Sequence, residues 1–372
     1  MIKLSLCMIV KNEEETLDRC LTCAKQFADE IIIVDTGSTD STKEIAKKYT
    51  NHVFDFVWND NFSDARNFSL EKASGEYLMW LDADDVVSDE NIKKINKLKQ
   101  NLFADLYMLK YVIAFDEMNN STFSYYRERI FKRSLGYRFV GFIHEAIPAF
   151  GRIEYSDIEI FHKKIKHSDP KRNLKIYKKK IKEGAILSSR ETFYFARELF
   201  YNAQYKNCIQ TMKRYLKMDN LFLPNVVDAH EIISDCYIYL GDNKNALKIL
   251  LDSMNFSSPN AEICCRLGEL FMQQNLDEAK FWFKCALMCE KEHEKGAFVE
   301  DAYYDFIPYI QLSVICYMQN NLELSRFYHE KAKQINPNHQ SIQHNEKFLY
   351  WNWNPREIFF WLITGKFLST GE

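Results

Sequence analysis

No apolar run in this chain reaches the roughly 18 residues needed to cross a bilayer as a helix, so the sequence offers no transmembrane segment. No secretory signal is expected from the residues seen either. The apolar amino terminus is broken by Lys3 and then Lys11 and carries no cleavage site. There is also no basic excess. The 49 lysines and arginines are outnumbered by 52 aspartates and glutamates, a formal net charge of -3, which argues against nucleic acid as a main partner. The ten cysteines lack a pairing pattern and fall mostly on apolar helical faces, as expected of reduced thiols in a cytoplasmic protein. Cys20-x-x-Cys23 has the spacing of a redox or zinc half-site, but no second pair lies near it and its flanks form an amphipathic helix.

What is present is an ordinary soluble globular composition, 47% hydrophobic and 27% charged, over 372 residues, long enough that two domains are expected. In the first half, apolar strands alternate with helices. Residues 3–10 read as a strand followed by a helix from Lys11 to about Ala28, and Ile31–Val34 as a second strand ending at Asp35-Thr36-Gly37-Ser38-Thr39-Asp40. A right-handed βαβ unit then puts Asp35 on the same sheet edge as Asp82. The run Leu78-Met79-Trp80-Leu81 ends in Asp82-Ala83-Asp84-Asp85. Two aspartates one residue apart at a strand's carboxyl end can hold a divalent cation through hard oxygen ligands, or can cap the helix that begins near Ser88. Arg66, in Phe62-x-Asp64-Ala65-Arg66-Asn67, can reach a pyrimidine or a phosphate, or pair on the surface with Asp64 or Glu71. The apolar approach to His144-Glu145 sets a carboxylate at the edge of a dry pocket, suited to a general base or to pairing with Arg127 or Arg138. His162 follows the strand Ile158–Phe161 as a structural residue or a ligand.

Taken in order, Asn12-Glu13, Asp35-x-Gly37-Ser38-Thr39-Asp40, Phe62-x-Asp64-Ala65-Arg66-Asn67 and Asp82-x-Asp84 resemble the family 2 inverting glycosyltransferases of the GT-A fold over roughly residues 3–90. The resemblance implies a UDP-sugar site with Mn2+ or Mg2+. In it Val10 and Lys11 border the uracil, Asp35 bonds the base or ribose, Arg66 lies by the uracil, Asp82 approaches the ribose and Asp84 holds the metal. His162 fits a further metal or diphosphate ligand. Arg129-Ile130-Phe131 and Gly141-x-x-His144-Glu145 resemble the acceptor side of one subgroup, which makes Glu145 the candidate base. Asp85 is the one acid of the three that a capping role would satisfy.

The expected fold is an α/β GT-A (Rossmann-like) domain over residues 1–165, a basic linker helix over 166–187, and an all-α tetratricopeptide-like helical-repeat domain over 188–340. In the repeats a small residue recurs in each second helix, at Cys208, Ala246, Ala279 and Ser325, with an insertion near 292–305. An apolar segment over 341–372 is expected to cap the repeats or form a homodimer contact. The combination is similar to the sublancin-type glycocin transferases, which glycosylate bacteriocin peptides on cysteine or serine. That likeness implies a peptide or protein acceptor held by the repeats. The rival readings are a transferase for a surface glycan or lipid-linked acceptor, and a repeat-based binding scaffold with an inactive transferase half.

Overall fold

The computed structural model describes residues 3–115, 121–165, 169–291 and 300–351. Lys166 of the basic segment, residues 292–299 of the expected insertion and 352–372 of the apolar tail lie outside the described residues. The chain divides into two compact units, one ending at Asn225 and the other beginning at Val226.

In the first unit, β1 (Leu4–Val10), β2 (Glu30–Asp35), β3 (Val53–Asp55), β4 (Tyr77–Trp80), β5 (Asp85–Val86), β6 (Leu106–Phe115), β7 (Ser121–Lys132) and β8 (Ile153–His162) form one sheet. Its strand order is β3-β2-β1-β4-β7-β6-β8-β5. The largely apolar character of β1, broken only by the buried Ser5, follows from its central place, because both of its faces are covered. Leu4, Leu6 and Met8 join Leu17, Cys20, Leu21 and Ala24 of α1 (Leu17–Ala24), and Cys7 on the other face joins Leu70 of α3 (Phe62–Lys72). Gly75 leads into β4 so close to β1 that a Cβ there would lie 2.5 Å from Ser5 Oγ and 2.9 Å from the Ser5 backbone nitrogen. Only glycine fits that approach.

Two local expectations are corrected. Helix α1 starts at Leu17 rather than at Lys11, because Asn12 takes a left-handed φ of 55° and its amide and carboxamide are spent on Ser38 and Thr39. The two-residue β5 was not foreseen at all. It pairs antiparallel with β8, setting Asp85 opposite His162. Beyond the sheet, α2 (Thr42–Lys47) and α4 (Asp89–Gln100) complete the crossovers, and α5 (Arg172–Lys182), α6 (Ser189–Tyr201) and α7 (Tyr205–Tyr215) follow. The basic helix α5 is not solvated all round. Ile176 and Tyr177 are buried with Ile143 and Leu187, against Phe62, Phe142 and Tyr194.

The second unit is built of helix pairs without strands among its described residues: α8 (Leu223–Tyr239) with α9 (Asn243–Ser253), α10 (Ala261–Phe271) with α11 (Leu276–Ala286), and α12 (Phe306–Met318) with α13 (Leu322–Ile335), followed by α14 (Gln340–Trp351). The small residues of the repeat lie on buried helix faces. Ala246, Ala279 and Ser325 are fully buried, as is Cys208 in the preceding α7. A hydrogen bond recurs with them. Ser234 Oγ donates to the Ala246 carbonyl at 3.3 Å and Ser313 Oγ to that of Ser325 at 2.9 Å, each across twelve residues. These pairs are tetratricopeptide-like helical repeats.

A buried ion cluster joins α8 to α10. Arg266 lies 3.0 Å from both Glu231 and Asp235. Burial pushes the Glu231 carboxyl up, Arg266 draws it down, and Glu262 and Asp228 push it up again, leaving it at about 8. An unfolded glutamate titrates near 4.3. Between those values the folded chain keeps a proton that the unfolded chain releases, so this group's contribution to stability falls as pH rises through the window. Glu231→Gln is therefore expected to raise the melting temperature relative to the parent at pH 8 more than at pH 5. An equal difference at both pH values, measured by calorimetry, would remove this account.

Candidate active site

The site begins with strand register. Val10 is paired with Asp35, and Cys7 with Trp80, in parallel ladders, so β1, β2 and β4 end at one edge of the sheet. That edge is where open α/β sheets bind ligands. Val10 is buried and its carbonyl accepts from the Thr36 amide at 3.0 Å, whereas Lys11 just beyond it is exposed. Asp35 is buried at the end of β2, where its carboxylate accepts from the Gly37 and Ser38 amides at 3.1 and 3.0 Å. Gly37 supplies the positive φ of 102° that the turn requires.

Arg66 projects from the first turns of α3 and is buried. It pairs with neither Asp64 nor Glu71. Its NH2 donates to Asp82 Oδ1 at 2.7 Å and its Nε to Glu145 Oε1 at 2.6 Å, while its guanidinium lies 4.7 Å from the centre of the Trp80 ring. Asp82 and Glu145, far apart in sequence, thus share one cation. Burial would raise the Asp82 carboxyl, but Arg66 and then Arg129 override it and hold it at about 2. Glu145 Oε2 accepts no hydrogen bond among the described residues, which leaves one oxygen of this carboxylate for a further partner.

Asp84, Asp85 and His162 form the second cluster, each offering a ligand atom, all within 4.8 Å of one another. His162 Nδ1 is 3.3 Å from Asp84 Oδ1. Burial would lower the His162 pKa, but its hydrogen bonds to Asp84 and Asp85 raise it to about 10, so a cation would have to displace a ring proton to be ligated there. The set fits a divalent cation. Carboxylate oxygen plus imidazole nitrogen is a donor combination suited to Mn2+ and, through the carboxylates, to Mg2+.

Within that set the two aspartates differ. Asp85 does not cap the following helix; Ser88 does, accepting from the Asn91 amide. Asp85 is fully buried, and its oxygens accept from Arg129 NH1 at 3.1 Å, the Asp82 amide at 3.0 Å and the Tyr111 hydroxyl at 3.0 Å. Its lone pairs are committed to the protein. Asp84 is partly exposed and its carboxylate is tied only to His162 among the described residues, so Asp84 and His162 are the members able to hold a cation.

Tyr111 was not singled out by sequence; Arg127 entered only as an alternative ion-pair partner of Glu145, and Arg129 only within the segment resembling the acceptor side. Arg127 and Arg129, two apart on β7, stand over the Trp80 ring at 5.0 and 3.7 Å, and Tyr111 bridges Asp85 and His162. The available signal was an arginine at alternate positions of a strand that had to be buried.

The family model of Glycosyl transferase family 2 matches residues 5–159. Among curated proteins, a TPR repeat-containing protein of Synechococcus elongatus is 45% identical over 85 residues, 23% of this chain and 21% of that one. The SPbeta prophage-derived glycosyltransferase SunS of Bacillus subtilis is 32% identical over 148 residues, 37% of this chain and 33% of that one. This chain therefore spans a fifth to a third of the length of those relatives. Among solved structures, S. aureus TarS 1-349 in complex with UDP-GlcNAc is 15% identical over 90% of this chain and 92% of that one, with a TM-score of 0.36. With a mixed sheet whose strand ends gather these residues, and with helical repeats after it, residues 5–159 form a family 2 glycosyltransferase domain of GT-A type.

Proposed function

We propose that this chain is an inverting transferase that moves a sugar from a UDP-sugar to a cysteine, serine or threonine side chain of a peptide or protein. The observation that carries the reading is the convergence of Arg66, Asp82 and Glu145 beside the Asp84, Asp85 and His162 cluster at the sheet edge where Asp35 also ends. Val10, Lys11 and Asp35 would bound the nucleoside and Asp82 the ribose. Arg66 would present its buried NH1, which has no hydrogen-bond partner among the described residues, to the donor. As the acceptor sulfur or oxygen attacks the anomeric carbon, its proton passes to Glu145 Oε2, the bond from the anomeric carbon to the diphosphate oxygen breaks, and UDP leaves from the opposite face. A divalent cation held by Asp84 and His162 would supply charge neutralisation to the diphosphate. The peptide acceptor is supported by the Gly141-x-x-His144-Glu145 segment and by the helical repeats, a class of surface suited to extended chains. The borders at 165, 187 and 340 stand with this reading as proposed module limits.

A panel of UDP-sugars with and without Mn2+ tests it, read by thermal shift and by release of UDP. Ligand at about 100 times its Kd stabilises a fold by roughly 2.7 kcal/mol, enough to see in a melt. Stabilisation by one UDP-sugar that depends on Mn2+, with sugar added to a Cys, Ser or Thr peptide by mass, is the expected result. No stabilisation and no UDP release from any donor would instead favour a binding scaffold.

A further inference from the structure

His144, the residue before the candidate base, is gripped at three points by one stripe of α6. Arg190, Tyr194 and Glu198 stand four residues apart, so they share one face of the helix. Arg190 donates through Nε and NH2 to the His144 carbonyl at 3.2 and 3.1 Å. Tyr194 stacks on the imidazole with ring centres 4.5 Å apart and planes 16° from parallel. Glu198, buried, takes His144 Nε2 at 2.8 Å and is itself held by Asn173 Nδ2 at 3.0 Å. The bond to a carboxylate places the ring proton on Nε2.

The grip sits where the backbone needs one. His144 has a φ of 51°, in the left-handed region that non-glycine residues rarely occupy unless their surroundings hold them there. Immediately after it, the Glu145 carbonyl accepts from Arg127 NH2 at 3.3 Å and the Glu145 carboxylate from Arg66. The peptide groups on both sides of Glu145 are thus pinned, one by β7 and the other by α6. Helix α6 lies beyond residues 5–159, outside the part of the chain that the family model matches.

We propose that Arg190, Tyr194 and Glu198 are positioning residues for the transfer reaction, acting through His144 to aim Glu145. This rests on the reading of Glu145 as the base. It makes the first helices after the sheet part of the catalytic unit: a chain cut after residue 165 would keep its donor residues and lose the aim of its base.

The test uses the full chain and Mn2+-dependent release of UDP from UDP-glucose and UDP-N-acetylglucosamine. Glu198→Ala and Tyr194→Ala are expected to lower kcat about 10- to 100-fold, the scale of a misplaced catalytic group, with donor KM changed less than about threefold. Glu198→Gln keeps an oxygen that accepts from His144 Nε2 and should restore most of kcat. Amide exchange over 141–147 should accelerate in Glu198→Ala and not in Glu198→Gln. Wild-type kcat in Glu198→Ala, or Glu198→Gln as slow as Glu198→Ala, would overturn the proposal. If neither donor is turned over by the parent, exchange decides: no acceleration in Glu198→Ala overturns it as well. The two readings fail separately, because a fully active Glu145→Gln removes the base itself, whereas a slow Glu145→Gln beside a normal Glu198→Ala removes only the positioning role.

Discussion

Asp84→Ala is expected to lower Mn2+-dependent release of UDP by about 10²–10³-fold, the range seen when one group that stabilises developing charge is removed. The fold should survive the change. Asp84 is partly exposed and its carboxylate pairs with His162 at the surface of the cluster, so no buried charge is stranded. Asp85→Ala is the informative contrast. It would leave Arg129, fully buried against Trp80 and Tyr111, without its carboxylate, and losing one partner of a buried pair costs about 3–5 kcal/mol. Asp84→Ala should therefore melt like the parent but lose activity and Mn2+ binding, while Asp85→Ala should melt well below the parent. An Asp84→Ala protein that still releases UDP in response to Mn2+ would remove Asp84 from the metal site.

The second large effect is expected at Glu145. Glu145→Gln keeps the side-chain shape and an oxygen able to accept from Arg66 Nε, so the Arg66 and Asp82 arrangement on the donor side should persist. What it loses is basicity at the oxygen that faces no other partner. Donor KM should stay near the parent value while kcat for transfer falls by about 10²–10⁴, the contribution typical of a positioned acid or base. Steady-state kinetics with a fixed acceptor, together with a donor binding isotherm, separates the two quantities. Loss of donor affinity with unchanged kcat would show Glu145 to be a counter-ion that holds Arg66 in place, and full activity would end its candidacy.

Both predictions draw on residues that the sequence put forward, and the reason is physical. The strands β1, β2 and β4 are largely apolar because they are covered on both faces, so Asp35 at the end of β2 and Asp82 just beyond β4 are conspicuous. Small residues recur on buried helix faces, which is why Ala246, Ala279 and Ser325 could be found by period even though the spacing of the repeats is irregular. Asp85 was misjudged for the opposite reason. A helix start lies three residues after it, and nothing local reveals that an arginine 44 residues away in sequence will be buried beside it. Arg66 was legible as a functional type, but its partners were not, since Asp82 and Glu145 meet it from 16 and 79 residues away.

By itself the sequence determined the alternation of buried strands and amphipathic helices, the acidic strand ends, and the change to paired helices in the second half. These depend on local periodicity and on which side chains tolerate burial. Only the tertiary structure decided which charges share a partner: that a two-residue strand at Asp85 pairs with the end of β8 and delivers His162 to Asp84, that Arg66 joins Asp82 to Glu145, and that α6 takes hold of His144. Ion pairs and hydrogen bonds act over a few ångströms of space, and residues far apart along the chain come within that range only once the sheet and its helices have closed.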